Sequence, residues 1–146
     1  MGPVKAALVA RIDTATAADV QVMYGSKVPG PTLGSIVSVG DITFNSTPGT
    51  FGDGEPEDES YNVAVVCEVT VPAGTQQQAT EAALALHSIV KTALRPANLD
   101  ETLGVAGVLW ARPTGAGRVV ESTDAKVLAA GHSTAVYSTV QVMAVI

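Results

Sequence analysis

The side chains best suited to nucleophilic or acid–base chemistry, histidine and cysteine, are few and far apart in this sequence. Nucleophilic hydrolysis needs a serine or cysteine beside a histidine that a carboxylate orients. His87 falls near the edge of the apolar stripe of a predicted helix, whereas His132 precedes Ser133 in a turn with no G-x-S-x-G motif. Cys67 falls on the apolar face of a predicted strand, where a buried, unreactive thiol is expected. The sequence therefore predicts no catalytic residue.

Motifs that hold metals or cofactors are also missing from the sequence. One cysteine and two separated histidines cannot form a zinc site unless carboxylates join them. The segment Gly115-Ala116-Gly117 is followed by Arg118 and lacks the further glycine and the lysine of a phosphate-binding loop. We therefore expect no metal site and no cofactor.

The densest group of charges is acidic and lies in a segment rich in turn-forming residues. Because like charges repel one another, we predict that residues 45–60 form an extended, hydrated loop. An EF-hand needs glutamate at its twelfth position, but the twelfth residue from the first of these acids is Ala64. We favour a solvated loop over a weak surface calcium site. The acidic residues are Asp53, Glu55, Glu57, Asp58 and Glu59, and they are called the acidic segment below.

The composition excludes several classes of protein. Of the 146 residues, 47% are apolar and 15% are charged, which is too apolar for an intrinsically disordered chain. The net charge of −6 argues against general nucleic-acid binding and against electrostatic docking on anionic lipid. No apolar run reaches the roughly 18 residues of a membrane-spanning helix, so no membrane partner is expected. The single cysteine excludes an internal disulfide and fits a reducing compartment.

Alternation of apolar and polar residues predicts several strands, because successive side chains of a strand point to opposite faces of a sheet. The clearest alternation runs over eleven residues, with one side apolar throughout. The predicted strands cover residues 20–24, 36–44 with a bend at Gly40-Asp41, 61–71, 103–112, 119–120 and 135–146.

Two helices are predicted. A short helix covers residues 3–13, where apolar residues recur every fourth position. A longer helix begins after Thr75, which forms a capping-box pattern with Gln78, and it stops before Pro96. Its apolar stripe is rich in alanine and should pack closely on a sheet.

The order of these elements predicts one α+β domain over residues 1–146. We expect a mixed, mainly antiparallel sheet with one long helix packed on a face and a short N-terminal helix. The second face of the sheet is expected to be less apolar and to be covered by water, the first helix or a neighbouring subunit. Residues 113–117 are predicted to form a turn or linker, and residues 122–131 are ambiguous, with a helical turn as one interpretation. The last strand is expected to pair inside the sheet.

The order of elements and several short phrases resemble the tail terminator proteins of long-tailed (siphovirus-type) bacteriophages. The likeness spans nearly the whole chain, although no part of it is a sharp motif. The matching phrases are Val20-Gln21-Val22-Met23-Tyr24-Gly25, Val39-Gly40-Asp41, Pro72-Ala73-Gly74, Ala83-Leu84-Ala85-Leu86-His87-Ser88-Ile89-Val90 and Leu103-Gly104-Val105.

The resemblance implies a small structural protein without catalytic residues that forms a hexameric ring on the last disc of the tail tube. Such a ring stops polymerisation of the tube and presents a surface to the head-side connector. The implied partners are other copies of this chain, the tail tube protein and the head–tail connector proteins, and DNA passes through without specific binding. The implied location is the neck of the virion tail, after assembly in the host cytoplasm.

A ring around a DNA channel suggests a role for the acidic segment. Acidic side chains near the lumen would repel phosphates and let DNA slide. We hypothesise that Asp53, Glu55, Glu57, Asp58 and Glu59 line the lumen or the tube-facing rim, and an outward, solvated loop is the alternative.

A rotational ring also needs heterologous contacts, in which one patch of a subunit meets a different patch of its neighbour. The candidates on one side are Tyr24 and the loop from Pro29 to Leu33. Those on the other side are Trp110 and Arg112.

Other functions remain open at this point. The chain could be another neck component or the tail tube protein, which also forms hexameric rings but stacks them without limit. A small soluble enzyme or ligand-binding domain would need a pocket with convergent polar groups, for which Glu68 and His132 are candidates. A monomeric adaptor would use the acidic segment to dock a basic partner.

Overall fold

Two helices cover one face of a mixed β-sheet. The computed structural model describes residues 2–25, 34–47, 58–95, 103–106, 108–121 and 131–145. In chain order the described elements are α1 (Gly2–Ala15), β1 (Val20–Tyr24), β2 (Gly34–Thr47), β3 (Asp58–Val71), α2 (Gln76–Ala93), β4 (Val108–Glu121) and β5 (His132–Val145).

The five described strands form a single sheet in the order β1-β2-β3-β5-β4. β1 runs parallel to β2, and the other neighbouring pairs are antiparallel. The predicted α+β class with a mixed, mainly antiparallel sheet is confirmed. The last strand lies inside the sheet, as predicted, because β5 pairs with β3 on one side and with β4 on the other.

The core lies between the sheet and the helices. The apolar face of β3 supplies its centre, where Val63, Val65 and Cys67 are fully buried. α1 adds three buried residues spaced by four, so that one stripe of the helix faces the sheet. These residues are Val4, Leu8 and Ile12.

The long helix α2 begins as the capping box predicts. The backbone N–H of Gln78 donates to Oγ1 of Thr75 over 3.2 Å, and the backbone N–H of Thr75 donates to Oε1 of Gln78 over 2.9 Å. Two otherwise unpaired donors of the helix start are thereby satisfied. The buried stripe of α2 consists of Ala79, Ala83, Leu86 and Val90, and its two alanines allow the helix to approach the sheet closely.

The predicted loop over residues 45–60 is wrong at both ends. β2 continues to Thr47, and β3 starts at Asp58, so that Asn45 pairs with Ser60 and Thr47 pairs with Asp58. Backbone pairing in a hairpin does not require alternating apolar side chains, so polar and acidic residues extend the ladder. Asp58 and Glu59 therefore belong to β3 rather than to a free loop.

The predicted turn at residues 113–117 is also wrong. These residues lie within β4, where the pairing with β5 shifts between Pro113 opposite Val140 and Gly117 opposite Ser138. The extra residues form a bulge in one continuous strand, which begins at residue 108 and not at 103. A side chain at position 117 would place its Cβ 2.5 Å from the carbonyl oxygen of Tyr137, so the close approach of the two strands requires glycine.

The expected bend in the second strand is confirmed by a pairing shift between Val39 and Ile42, which flank Gly40-Asp41. The ambiguous segment lies largely outside the described residues, which resume at residue 131. Among the described helices, none is long and apolar enough to cross a membrane.

Candidate functional site

A polar network joins the start of α2 to the start of β5, and it contains His132. Nδ1 of His132 lies 3.3 Å from Oε1 of Gln76. Nε2 of Gln76 donates to Oγ1 of Thr134 over 2.7 Å, and Oγ1 of Thr134 lies 2.9 Å from Oγ1 of Thr80. Thr80 in turn donates to Oε1 of Glu121 on β4 over 2.8 Å. The network fixes the first turns of α2 against two strands, and the ring of His132 contacts an amide, not a serine.

The second candidate for a polar pocket, Glu68, lies on the other side of the sheet. Oγ of Ser133 donates to Oε1 of Glu68 over 3.4 Å, and Oγ1 of Thr70 donates to Oγ of Ser133 over 3.2 Å. Because neighbouring residues of a strand point to opposite faces, Ser133 and His132 face away from each other. The structure therefore does not bring Glu68 and His132 into one pocket.

Cys67 lies where the sequence predicts it, on the buried face of β3. Burial raises the pKa of its thiol to about 12, because the anionic thiolate loses its hydration. The thiol therefore stays protonated near neutral pH, and thiolate chemistry requires the charged form.

His87 lies on α2 at the margin of the helix stripe, as predicted, and its ring is half-buried. Its Nδ1 atom is buried and has no hydrogen-bond partner among the described residues. Burial lowers the pKa of His87, and the nearby positive charge of Lys91 lowers it further. The ring is therefore neutral near pH 7, and the tautomer that protonates Nε2 avoids burying an unpaired N–H group.

A cleft of about 250 Å³ lies beside His87, between α2 and the two strands β4 and β5. Its α2 wall consists of Leu84, His87 and Lys91. Its opposite wall includes the bulge of β4 and parts of β5. No aspartate or glutamate is among the described residues that line this cleft.

The described residues contain no group of three or more histidine, cysteine, aspartate or glutamate side chains that could hold a metal ion. Asp53, Glu55 and Glu57 lie outside the described residues. Asp58 and Glu59 are the first two residues of β3.

The predicted interface residues that the structure describes lie at opposite edges of the sheet. Tyr24 ends the edge strand β1 and is 57% exposed, with Nζ of Lys5 4.5 Å from its ring centroid. Trp110 and Arg112 lie on the other edge strand, β4, where the guanidinium carbon of Arg112 is 4.8 Å from a Trp110 ring centroid. Pro29 and Leu33 lie outside the described residues. Two different patches at opposite edges are what a heterologous ring contact needs.

Several exposed apolar side chains were not predicted from the sequence. Leu109, Val119 and Val120 of β4 are exposed, and Phe44 of β2 is 68% exposed beside Tyr61, with ring centroids 6.2 Å apart. The apolar residues on both faces of the predicted strand at 103–112 were the available signal for Leu109. An edge strand with exposed apolar residues favours a contact with another chain.

The face of the sheet opposite the helices, here called the outer face, carries no helix among the described elements. Register places Ser38, Val66, Tyr137 and Arg118 side by side on four neighbouring strands. The guanidinium carbon of Arg118 lies 4.7 Å from the Tyr137 ring centroid. This row mixes a hydroxyl, an aliphatic, an aromatic and a charged side chain, so the outer face is less apolar here than the face under the helices.

Comparisons with known proteins show a likeness of fold. No family model and no curated protein matches the chain. Among solved structures, the chain is similar to one from the virion of a native gene transfer agent (GTA) particle, with a TM-score of 0.66. The match covers 99% of this chain and 96% of that chain at 14% sequence identity. At this identity the likeness shows a shared α+β fold over nearly the full length of both chains.

Proposed function

We propose that this protein is a structural component of a virion tail and that it acts as the tail terminator. In this role, six copies form a ring on the end of the tail tube, stop its polymerisation and offer a surface to the head-side connector. The observation that carries the proposal is the fold, which matches a virion chain from end to end. Four of the five phrases that resemble tail terminators lie in or directly beside β1, β2 and α2, and the fifth, Leu103-Gly104-Val105, precedes β4.

The two sheet edges support the assembly part of the proposal. β1 presents the exposed ring of Tyr24, and β4 presents Trp110, Arg112 and the exposed Leu109. When the β1 edge of one copy contacts the β4 edge of a second copy, one β1 edge and one β4 edge remain free at the two ends of the pair. Further copies can therefore add until the ring closes. The proposed role uses no catalytic residue and no cofactor.

The acidic segment is proposed to line the lumen or the tube-facing rim of this ring, where negative charge repels the phosphates of passing DNA. Replacing Asp53, Glu55, Glu57, Asp58 and Glu59 by their amides should then slow DNA ejection or alter tail length. Unchanged ejection and unchanged tail length would remove this part of the proposal.

The terminator role is tested by adding the purified protein to tail tube protein that is polymerising. Capping predicts that mean tube length falls as the protein concentration rises, and electron microscopy should show one extra ring at one tube end. Long tubes formed by the protein alone would identify it as a tube subunit instead. Tubes of unchanged length without a terminal ring would contradict the role.

A further inference from the structure

The cleft beside His87 has the electrostatics of a site for an anionic group. His87 and Lys91 both line it, and the ammonium of Lys91 lies close enough to the imidazole to disfavour its protonation. Lys91 thus brings a positive charge to the cleft and the neutral imidazole of His87 brings an N–H donor, while the chain as a whole has a net charge of −6. A carboxylate in the cleft would pair with the ammonium of Lys91, favour the protonated form of His87 and gain charge-assisted hydrogen bonds.

The walls leave room for such a group. Gly115 and Gly117 of the β4 bulge line the cleft and bring no side chain into it. Residues between Pro113 and Gly117 have no paired partner on β5, so the ladder is interrupted here. Nε2–H of His87 and the ammonium of Lys91 are the donors that α2 offers to a carboxylate. Thr114, Arg118 and Tyr137 also line the cleft and carry donor groups on β4 and β5.

The acidic segment of the same copy does not reach the middle of this cleft. The middle of the cleft lies at the level of Gly117 on β4. Through the pairing with Ser138 of β5, this level corresponds to Val65 on β3, seven residues from Asp58. At about 3.3 Å per residue and about 4.8 Å per strand, Asp58 is about 25 Å from that level of β4. Asp53 is five residues from Asp58 and reaches no further than about 18 Å even when fully extended.

We propose that the cleft binds a carboxylate from the acidic segment of a second copy of this chain. The inference rests on the proposed ring, in which the cleft beside the edge strand β4 of one copy faces its neighbour. One carboxylate enters the cleft, and the other acidic residues of the segment remain on the rim. The contact is heterologous, as ring closure requires.

The first test needs no ring. A synthetic peptide of residues 51–60 is titrated into the chain, and the His87 ring is followed by NMR. Binding should shift the His87 signals and raise the pKa of its imidazole, because an adjacent carboxylate favours the charged form. The charged and titratable groups that line the cleft with this imidazole are Lys91 on α2, Arg118 on β4 and Tyr137 on β5, and none of them supplies a competing carboxylate. The same peptide with asparagine and glutamine in place of its acids should leave the signals unchanged.

The second test uses matched variants in the assembly. Lys91→Glu should weaken association between copies about tenfold, as the loss of a charged contact does. Arg95→Glu changes the net charge by the same amount, but Arg95 does not line the cleft. This variant should therefore leave association unchanged. Gly115→Leu should also weaken association, since a Cβ at position 115 meets nothing within 4 Å and the side chain would occupy the cleft.

A third variant reverses the charges on both sides. Replacing Glu55 and Glu57 by lysine in the Lys91→Glu chain should restore association. The inference would be overturned if Lys91→Glu and Arg95→Glu changed association equally and the His87 signals did not respond to the acidic peptide. That result would not contradict ring formation. If the wild-type chain forms no ring but binds the peptide, the proposed function is contradicted, whereas binding of a carboxylate in the cleft is supported.

Discussion

The first turns of α2 and its later turns face the same sheet, but their buried polar groups differ in hydrogen bonding. Near the start, Gln76 and Thr80 find partners on β5 and β4, and Thr134 between them is fully buried. Further along, His87 keeps a buried Nδ1 without a partner among the described residues, and Lys91 lies beside it. Buried polar groups are normally paired, so the first region explains how the helix is held. The second region keeps one buried acceptor unpaired, and its remaining donors line the cleft in which we propose that a carboxylate binds.

The largest effect should come from the apolar stripe that connects these two regions. Leu86→Ala removes a buried side chain from the core cluster and should lower the free energy of unfolding by about 2–5 kcal/mol. Leu84→Ala is the matched control on the same helix, because Leu84 is 43% exposed and lines the cleft. Leu84→Ala should lower the free energy of unfolding by less than about 1 kcal/mol. Urea denaturation of both variants measures the difference, and equal losses would show that α2 is not oriented as described.

The paired network should give the next effect. Thr134→Val keeps the shape of a fully buried side chain but removes the acceptor of Gln76 and the partner of Thr80. The free energy of unfolding should fall by about 1–3 kcal/mol, since both partners lose a hydrogen bond in a part-buried site. Assembly into rings should be unaffected at temperatures where the chain is folded. A variant as stable as the wild type would mean that the network does not hold the helix.

The cap of α2 should matter less. Thr75→Ala removes the side chain that accepts from Gln78 and should cost about 1 kcal/mol. Thr92→Ala, at an exposed position in the last turn, is the control and should change the stability by less than about 0.5 kcal/mol. Thermal unfolding followed by circular dichroism distinguishes the two, and a larger loss for Thr92→Ala would contradict the assigned helix start.

The smallest effect concerns the pH dependence at the cleft. Because burial lowers the pKa of His87 in the folded chain, the unfolded chain binds more protons as the pH falls below about 6.5. The contribution of His87 to stability is therefore present above that pH and is lost as the pH falls through the lowered pKa. Lys91→Met should raise the pKa of His87 by removing a positive neighbour, which an NMR titration measures. A fall in that pKa would contradict the placement of Lys91 beside the ring.

The sequence predicted features that depend on local chemistry. The capping box at Thr75, the alternation in β3 and the bend at Gly40 each appear where the pattern indicates. Alternation of apolar residues reports burial, however, and the paired residues at the ends of β2 and β3 are polar, so those strand ends were missed. The glycines of β4 favour a turn in isolation, and only the register with β5 makes them a bulge.

The two proposed surfaces differ in how far the sequence could reveal them. Tyr24, Trp110 and Arg112 could be chosen from their residue types, and the fold then placed them at opposite edges of the sheet. The cleft beside His87 could not be predicted, because it depends on α2 packing beside a bulge that is itself set by strand pairing. The sequence showed His87 only as a helix residue near an apolar stripe.

The central claim is that identical copies of this chain close into a ring. Native mass spectrometry of the purified protein, with electron microscopy of the same sample, tests it most directly. The account predicts a species with six times the 14.8 kDa chain mass and a central hole in the images. A single 14.8 kDa species that persists at high protein concentration and does not bind tube ends would contradict it.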